Sequence, residues 1–390
     1  MSAAHPRVLM VVKRSSGLGG MQVQAGRVSL RLLEMGVPVS LLTRAQDPCD
    51  PPAYWTERLP RHDLPDRGQW AFAAAVYGFL TRRAAEYDLV HVHGFGPETF
   101  AAMAARGRTG RSLVVKPSTA GPGTKLHAYA RWFGGLPVPI RRVWRRVDGW
   151  VSISGETRSD LERLGAPRER IADIPNGVDT RRHHPLEEAE RTALRAELGI
   201  APEEVLVCSA ARLAPHKRVD LLMRSFADIL NSEPTARLWI AGYGEERDRL
   251  EALRQELPGG ERIQLLGKVR FDEICRIMQA ADLFALLSRW EGLSNALLEA
   301  MACGLPSVVS DVSGMSDVVR HEVSGLVVPP DDEHAAQESL AALAADPAFR
   351  ARLGAEAART IVERYSLDQT CEWLMELYQR LTCSRRDSEK

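Results

Sequence analysis

The stretch Ser288 to Asp311, SRWEGLSNALLEAMACGLPSVVSD, decides how this chain is read. Asp282 to Ser288 before it is an apolar run of strand length, and Ser307 to Ser310 within it is another. The intervening Asn295 to Cys303 therefore reads as the crossover helix of a βαβ unit. Gly292, Ser294 and Asn295 mark the start of that helix. Ser and Asn accept hydrogen bonds from its free N–H groups, and Gly lets a ligand approach the backbone, so this end suits a phosphate. Gly304 and Pro306 mark its end. Glu299 stands out because its helical neighbours Asn295, Ala296, Ala302 and Cys303 offer it no opposite charge. A carboxylate on so apolar a helix is costly to bury alone, so it should face a buried Arg or a crevice holding hydroxyl donors.

The spacing of Glu291 and Glu299, seven residues between them, together with WEGL, LLEAMACGLP and SGLVVPP, resembles glycosyltransferase family 4. That family holds retaining nucleotide-sugar transferases of the GT-B fold. The resemblance runs from Val205 to Ser366 and more loosely through the first half. It implies that Glu299 binds the ribose hydroxyls of a nucleotide. Glu291 would hold hydroxyls of the transferred sugar beside the backbone of Gly292, Leu293, Ser294 and Asn295. Without the resemblance, a structural ion pair for Glu299 and a solvated loop acid for Glu291 account for the same residues.

At 390 residues the chain suits two domains of about 150–200 residues, each large enough for its own core. Lys plus Arg equals Asp plus Glu at 51 each, which removes any whole-chain argument for nucleic acid or an anionic membrane. The six cysteines form no CxxC pair, so they read as small core residues in a reducing compartment, with no metal site. The start of the chain holds only the short apolar run from Val8 before Lys13, which is too short for a signal-peptide core or a membrane span. A cytoplasmic protein is expected.

Val8 to Val12 reads as a strand, Ser15 to Gly20 as a glycine loop and Met21 to Glu34 as a helix. Strands follow at Val37–Thr43, Leu89–His93, Ser112–Lys116 and Trp150–Ser154, alternating with helical stretches. The second half repeats the pattern with strands at Val205–Ala210, Leu238–Ala241, Ile263–Leu266, Leu283–Leu287 and Ser307–Ser310. Such alternation with continuous apolar strands predicts two doubly wound α/β domains with parallel sheets. The expected division is 1–183, 184–365 and a C-terminal piece, 366–390. Trp373, Leu374, Leu377 and Tyr378 line one apolar face of that piece. The resemblance implies two Rossmann-like domains facing across a cleft, with the tail crossing back to the first.

Arg212 and Lys217 follow directly on the strand ending at Ala210, at the edge where open α/β sheets bind ligands. A guanidinium fork and a compact ammonium can neutralise a diphosphate as it leaves. Two solvated loop charges are the plainer reading, but both residues match the family's Arg-x4-Lys pair, whereas Arg218 lacks that support. Gly17 to Gly20 does not complete a dinucleotide pattern and is a tight turn on its own terms. The resemblance makes Gly19 and Gly20 part of a loop over the diphosphate. It also places Gly242, of Gly242-Tyr-Gly244, at the nucleotide crevice and Val269 near the base. Gly121 to Lys125 lacks the P-loop tripeptide and is rejected as one.

His91 and His93 alternate with valine along one strand, and structural hydrogen bonding suffices for both. Many family members carry a His after the next strand, near the transferred sugar, where this chain has Lys116-Pro-Ser118. Lys116, or else Ser118, is the expected occupant of that catalytic position. The basic cluster Arg141 to Arg146, with Trp132 and Phe133, has the composition of a bilayer-docking segment. A solvated helix face is favoured, since the net charge is zero. The resulting expectation is a retaining hexosyltransferase using a UDP-sugar, with no metal or other cofactor and an unidentified hydroxyl-bearing acceptor. A same-fold epimerase or phosphorylase, and a catalytically silent binding protein, are the rivals. The four intact residues Arg212, Lys217, Glu291 and Glu299 argue against the silent protein.

Overall fold

The computed structural model describes residues 5–13, 20–44, 58–65, 67–118, 128 and 144–386. Gly19, Gly121 to Lys125, Trp132, Phe133 and the first part of the 141–146 cluster lie outside the described residues. The chain divides into two compact units, Met1–Gly177 with Leu367–Lys390, and Val178–Ser366.

The first unit runs β1 (Val8–Val12), α1 (Gly20–Glu34), β2 (Val39–Arg44), β3 (Arg61–Leu64), α2 (Gln69–Arg82), β4 (Leu89–His93), α3 (Pro97–Thr109), β5 (Ser112–Lys116), β6 (Gly149–Ser152), α4 (Gly155–Arg163) and β7 (Ile171–Asp173). Its sheet order is β3-β2-β1-β4-β5-β6-β7, every pair parallel. Helices cover both faces, so β1, β4 and β5 are buried along their whole length, and β1 reads as an unbroken apolar run. Phe72, Val76 and Phe79 of α2 pack on one face with Trp144 and Trp150. On the other face Val28 and Leu32 of α1 share a core with Val8, Met10 and the last helix, α12 (Leu367–Arg386). Its Cys371, Leu374, Leu377 and Tyr378 are buried, and the Tyr378 hydroxyl meets His91 Nδ1 at 2.6 Å. Trp373, expected on the same face, is only half-buried at the edge of this core.

The second unit runs α5 (Glu188–Glu197), β8 (Leu206–Ala210), α6 (Val219–Ile229), β9 (Arg237–Ala241), α7 (Arg247–Glu256), β10 (Ile263–Gly267), α8 (Phe271–Ala280), β11 (Leu283–Leu286), α9 (Asn295–Ala302), β12 (Ser307–Ser310), β13 (Gly325–Val328), α10 (Glu333–Ala345) and α11 (Pro347–Arg364). The sheet order is β10-β9-β8-β11-β12-β13, again all parallel. Chain order reverses between β8 and β11, so the loops leaving those two strands flank a topological switch point. Met223 and Phe226 of α6 meet Leu340 and Leu343 of α10 in the core over one face.

The units divide at 177/178, ahead of the expected 183/184. Val178 donates to the Tyr365 carbonyl at 2.9 Å and bridges Ser366, and Cys275 of α8 donates to the Arg182 carbonyl at 3.4 Å. Those bonds tie residues 178–183 to the second unit.

Beyond β8 the chain keeps pairing with the segment beyond β9. Ala211 N–H donates to the Ala241 carbonyl at 3.0 Å and Leu213 N–H to the Tyr243 carbonyl at 2.9 Å. The approach is so close that a Cβ on Gly242 would lie 1.9 Å from the Ala211 oxygen, and one on Gly244 2.1 Å from that of Leu213. Gly242 is thus required by the close packing of backbone that carries Arg212.

Two outcomes follow from this packing. Leu374→Ala should lower stability by about 2–5 kcal/mol, read from urea unfolding, because Leu374 is fully buried. Gly242→Ala should cost about 1–3 kcal/mol by overpacking, and an unchanged urea midpoint would contradict the close approach.

Candidate active site

Two loops build the site in the second unit. The first leaves β8, passes Arg212 and makes a single 3₁₀ turn over Pro215–Lys217. It ends at Arg218, which adopts a left-handed conformation (φ 47°) and starts α6. Arg218 is held by Asp220 at 3.2 Å and by Asp331, so it is a structural residue of the turn. The second loop leaves β11 through Ser288. Its Arg289 N–H donates to the His216 carbonyl at 2.8 Å, and Trp290 stacks on the His216 ring at 5.0 Å and 8°. Burial, then the charge of Lys217, lowers the His216 pKa, so the stacked ring stays neutral near pH 7.

This clasp brings Lys217 and Glu291 together. Lys217 Nζ donates to Glu291 Oε1, which also accepts from the Ser288 hydroxyl at 3.1 Å. The two charged side chains are only 15% and 12% exposed. Arg212 points outward to Glu245 at 3.0 Å, with both side chains more than half exposed. The Glu245 carboxyl is held below its usual range by its own backbone N–H and then by Arg212. Each of the two cations therefore has an acidic partner.

Beyond Glu291, Gly292 and Leu293 lead to Ser294, whose hydroxyl accepts from Leu297 N–H at 3.3 Å and caps α9. Asn295 is half-buried at the first helical position, and Glu299 lies one turn further in, 6% exposed. Gly242 belongs to the backbone approach behind Arg212, and Val269 is half-buried just beyond β10. Arg212, Lys217, Gly242, Val269, Glu291, Gly292, Leu293, Ser294, Asn295 and Glu299 are all in the second unit. Ser288, Glu245 and the His216–Trp290 stack are additions. Only Ser288 and Trp290 had a signal in the sequence, as members of the quoted stretch.

Lys116 and Gly20 belong to the first unit. Gly20 is the exposed first residue of α1. Lys116 ends β5 in register with His93 of β4 and is 4% exposed. Burial lowers its pKa to about 8 and that of His93 to about 3, while His91 falls well below its usual value. Ser118 is half-buried just beyond.

Among the described residues no group of three or more His, Cys, Asp or Glu is placed to hold a metal ion, and no helix is long and apolar enough to cross a membrane.

Residues 18–182 match the family model described as Glycosyltransferase Family 4, and residues 190–360 match that described as Glycosyl transferases group 1. A D-inositol 3-phosphate glycosyltransferase of Nocardia farcinica is 31% identical over 389 residues, covering 92% of this chain and 84% of the relative. The enzyme of the same name from Rhodococcus opacus is 30% identical over 399 residues, covering 93% and 86%. Among solved structures, sucrose-phosphate synthase from Thermosynechococcus elongatus superimposes with a TM-score of 0.81 at 20% identity, covering 97% of this chain and 100% of that one. Anabaena HepE in complex with UDP and glucose gives 0.79 at 19% identity, covering 95% and 99%. These structural likenesses show the GT-B fold. With relatives of this identity across nearly its whole length, the chain belongs to glycosyltransferase family 4 and is a nucleotide-sugar glycosyltransferase.

Proposed function

We propose that this enzyme moves a hexosyl unit from a UDP-sugar to a hydroxyl-bearing acceptor with retention of anomeric configuration, and that it needs no metal or other cofactor. The observation that carries this reading is the largely buried Lys217–Glu291 pair where the loops after β8 and β11 meet, beside the capped start of α9. The UDP bound to the neighbouring Anabaena HepE structure supports the choice of nucleotide. In this reading the diphosphate draws Lys217 and Arg212 away from Glu291 and Glu245. Glu291 then turns to the sugar hydroxyls, and Glu299 accepts from the ribose. The sugar passes through an oxocarbenium-like state, so stabilising the departing diphosphate is the main catalytic task. A phosphate oxygen of the leaving UDP takes the acceptor proton on the same face, and no protein base is required. Reduced cysteines at Cys208, Cys275, Cys303, Cys371 and Cys383 support a cytoplasmic setting.

Lys217→Ala and Arg212→Ala should each lower hydrolysis of a UDP-hexose in the absence of acceptor by roughly 10²-fold, with the unfolding midpoint kept. Chelator should leave the wild-type rate unchanged. Near-normal rates in both variants, or loss in chelator with rescue by Mg²⁺ or Mn²⁺, would overturn the diphosphate assignment or the metal-free one respectively.

Glu299→Gln keeps the shape of the side chain and weakens its charge-assisted acceptor. UDP affinity should fall by about 1.5–3 kcal/mol in calorimetric titration. Normal UDP binding together with a large loss of stability in the free protein would instead make Glu299 half of a structural ion pair.

A further inference from the structure

Two residues of the second unit hold a left-handed backbone that is uncommon outside glycine, and their side chains are bound to each other. Arg218 (φ 47°) follows Lys217 at the end of the loop from β8, and Asp331 (φ 64°) lies in the loop from β13 to α10. Among the described residues Glu322 is the one other non-glycine with a positive φ. Backbone of this kind persists where its surroundings enforce it. The surroundings are a junction of three loops. Asp331 Oδ1 accepts from the Arg218 guanidinium and from Nε of Arg289, in the loop from β11, at 3.1 Å, while Oδ2 meets the same Nε at 2.8 Å.

Asp331 therefore grips both sides of the Lys217–Glu291 pair. Arg218 adjoins Lys217 in sequence, and Arg289 stands two residues before Glu291. This grip and the Lys217–Glu291 contact join the same two loops in parallel, with Arg289 N–H donating to the His216 carbonyl between them at 2.8 Å. The side chains of Asp331 and Arg289 are 41% and 47% exposed, and an ion pair so exposed adds little to stability. Stability alone does not account for the uncommon backbone at Asp331. The two ties differ in what a substrate does to them. In the glycosyltransfer reading above, the diphosphate draws Lys217 from Glu291, so that tie is lost when both side chains must be held at a fixed spacing. Arg218 is only 12% exposed and is fastened again by Asp220 at 3.2 Å, so its tie to Asp331 stays in place.

We propose that Asp331 is a positioning residue for the transfer reaction, keeping the loops from β8 and β11 in register once Lys217 has left Glu291. Only the release of Lys217 rests on the reading above, and the tie through Asp331 does not.

The test compares the full chain with its Asp331→Gly and Asp331→Asn variants, and uses Lys217→Met to open the ion pair without a ligand. Gly and Asn both accept left-handed backbone, and Asn keeps the Oδ1 that meets both arginines. Hydrogen exchange of the Arg289 amide is read on the nucleotide-free protein. It should stay near the wild-type rate in Asp331→Gly and in Lys217→Met alone, and rise by about tenfold or more in the double variant. In hydrolysis of UDP-glucose, Asp331→Gly should lower kcat by about tenfold or more with the urea midpoint kept, and Asp331→Asn should retain most of the rate. Exchange in the double variant no faster than in the faster single variant, or a normal kcat in Asp331→Gly, would overturn the proposal. So would an equal loss in Asp331→Asn, or a loss of turnover that tracks a lower urea midpoint in both variants. A wild-type chain that hydrolyses no UDP-glucose would defeat the choice of donor alone, and the exchange comparison, made without nucleotide, would still decide the role of Asp331.

Discussion

The contact between Lys217 and Glu291 is the constraint around which the second unit is arranged. It closes the gap between loops that leave two adjacent strands but are more than 70 residues apart in the chain. The surrounding features serve that closure. Arg289 bonds across to His216, Trp290 covers its ring, and Arg218 and Arg289 converge on Asp331. A pair this buried contributes little net stability, because the desolvation of both ions offsets most of their attraction. In the proposed reaction its value is in keeping a cation and a carboxylate poised and dry, each with a partner that a charged substrate would replace.

The two units manage buried charge differently. In the second, Arg195 and Arg191 both reach Asp282, which also accepts from Leu206 N–H at 2.7 Å, so the acid beneath the sheet is fully used. Around Lys116 in the first unit no such acid is supplied by the described residues. The equal totals of acidic and basic residues hide this contrast, since a balanced sum says nothing about where each sign is placed.

Legibility in the sequence followed burial. Strands buried on both faces, such as β1 and β8, are uninterrupted or nearly uninterrupted apolar runs and are plain in the sequence. The edge strand β3, Arg61–Leu64, is built from Arg-His-Asp-Leu because one side of it meets no neighbour, so it carried no apolar signal. β7, only three residues long, was missed for the same reason. The candidate site was legible where its residues are close in sequence, from Ser288 to Glu299. The pairing of Arg212 with Glu245, and of His216 with Trp290, depends on how separate loops meet in space, and no local pattern encodes that. Trp373 shows the limit of helical periodicity, which assigns a face but not how far the neighbouring core extends.

The last helix has a consequence for the order in which the chain acquires structure. Cys371, Leu374, Leu377 and Tyr378 complete a core made by β1 and α1, more than 330 residues earlier, together with residues of β2, β4, β5 and β6. On a ribosome, residues 178–366 emerge as one continuous piece and can fold as soon as they are out. The first unit, although begun earlier, stays open along one face of its sheet until α12 has emerged. Its Val8, Met10 and Val28 remain exposed through that interval, so the half that starts first is the half that finishes last.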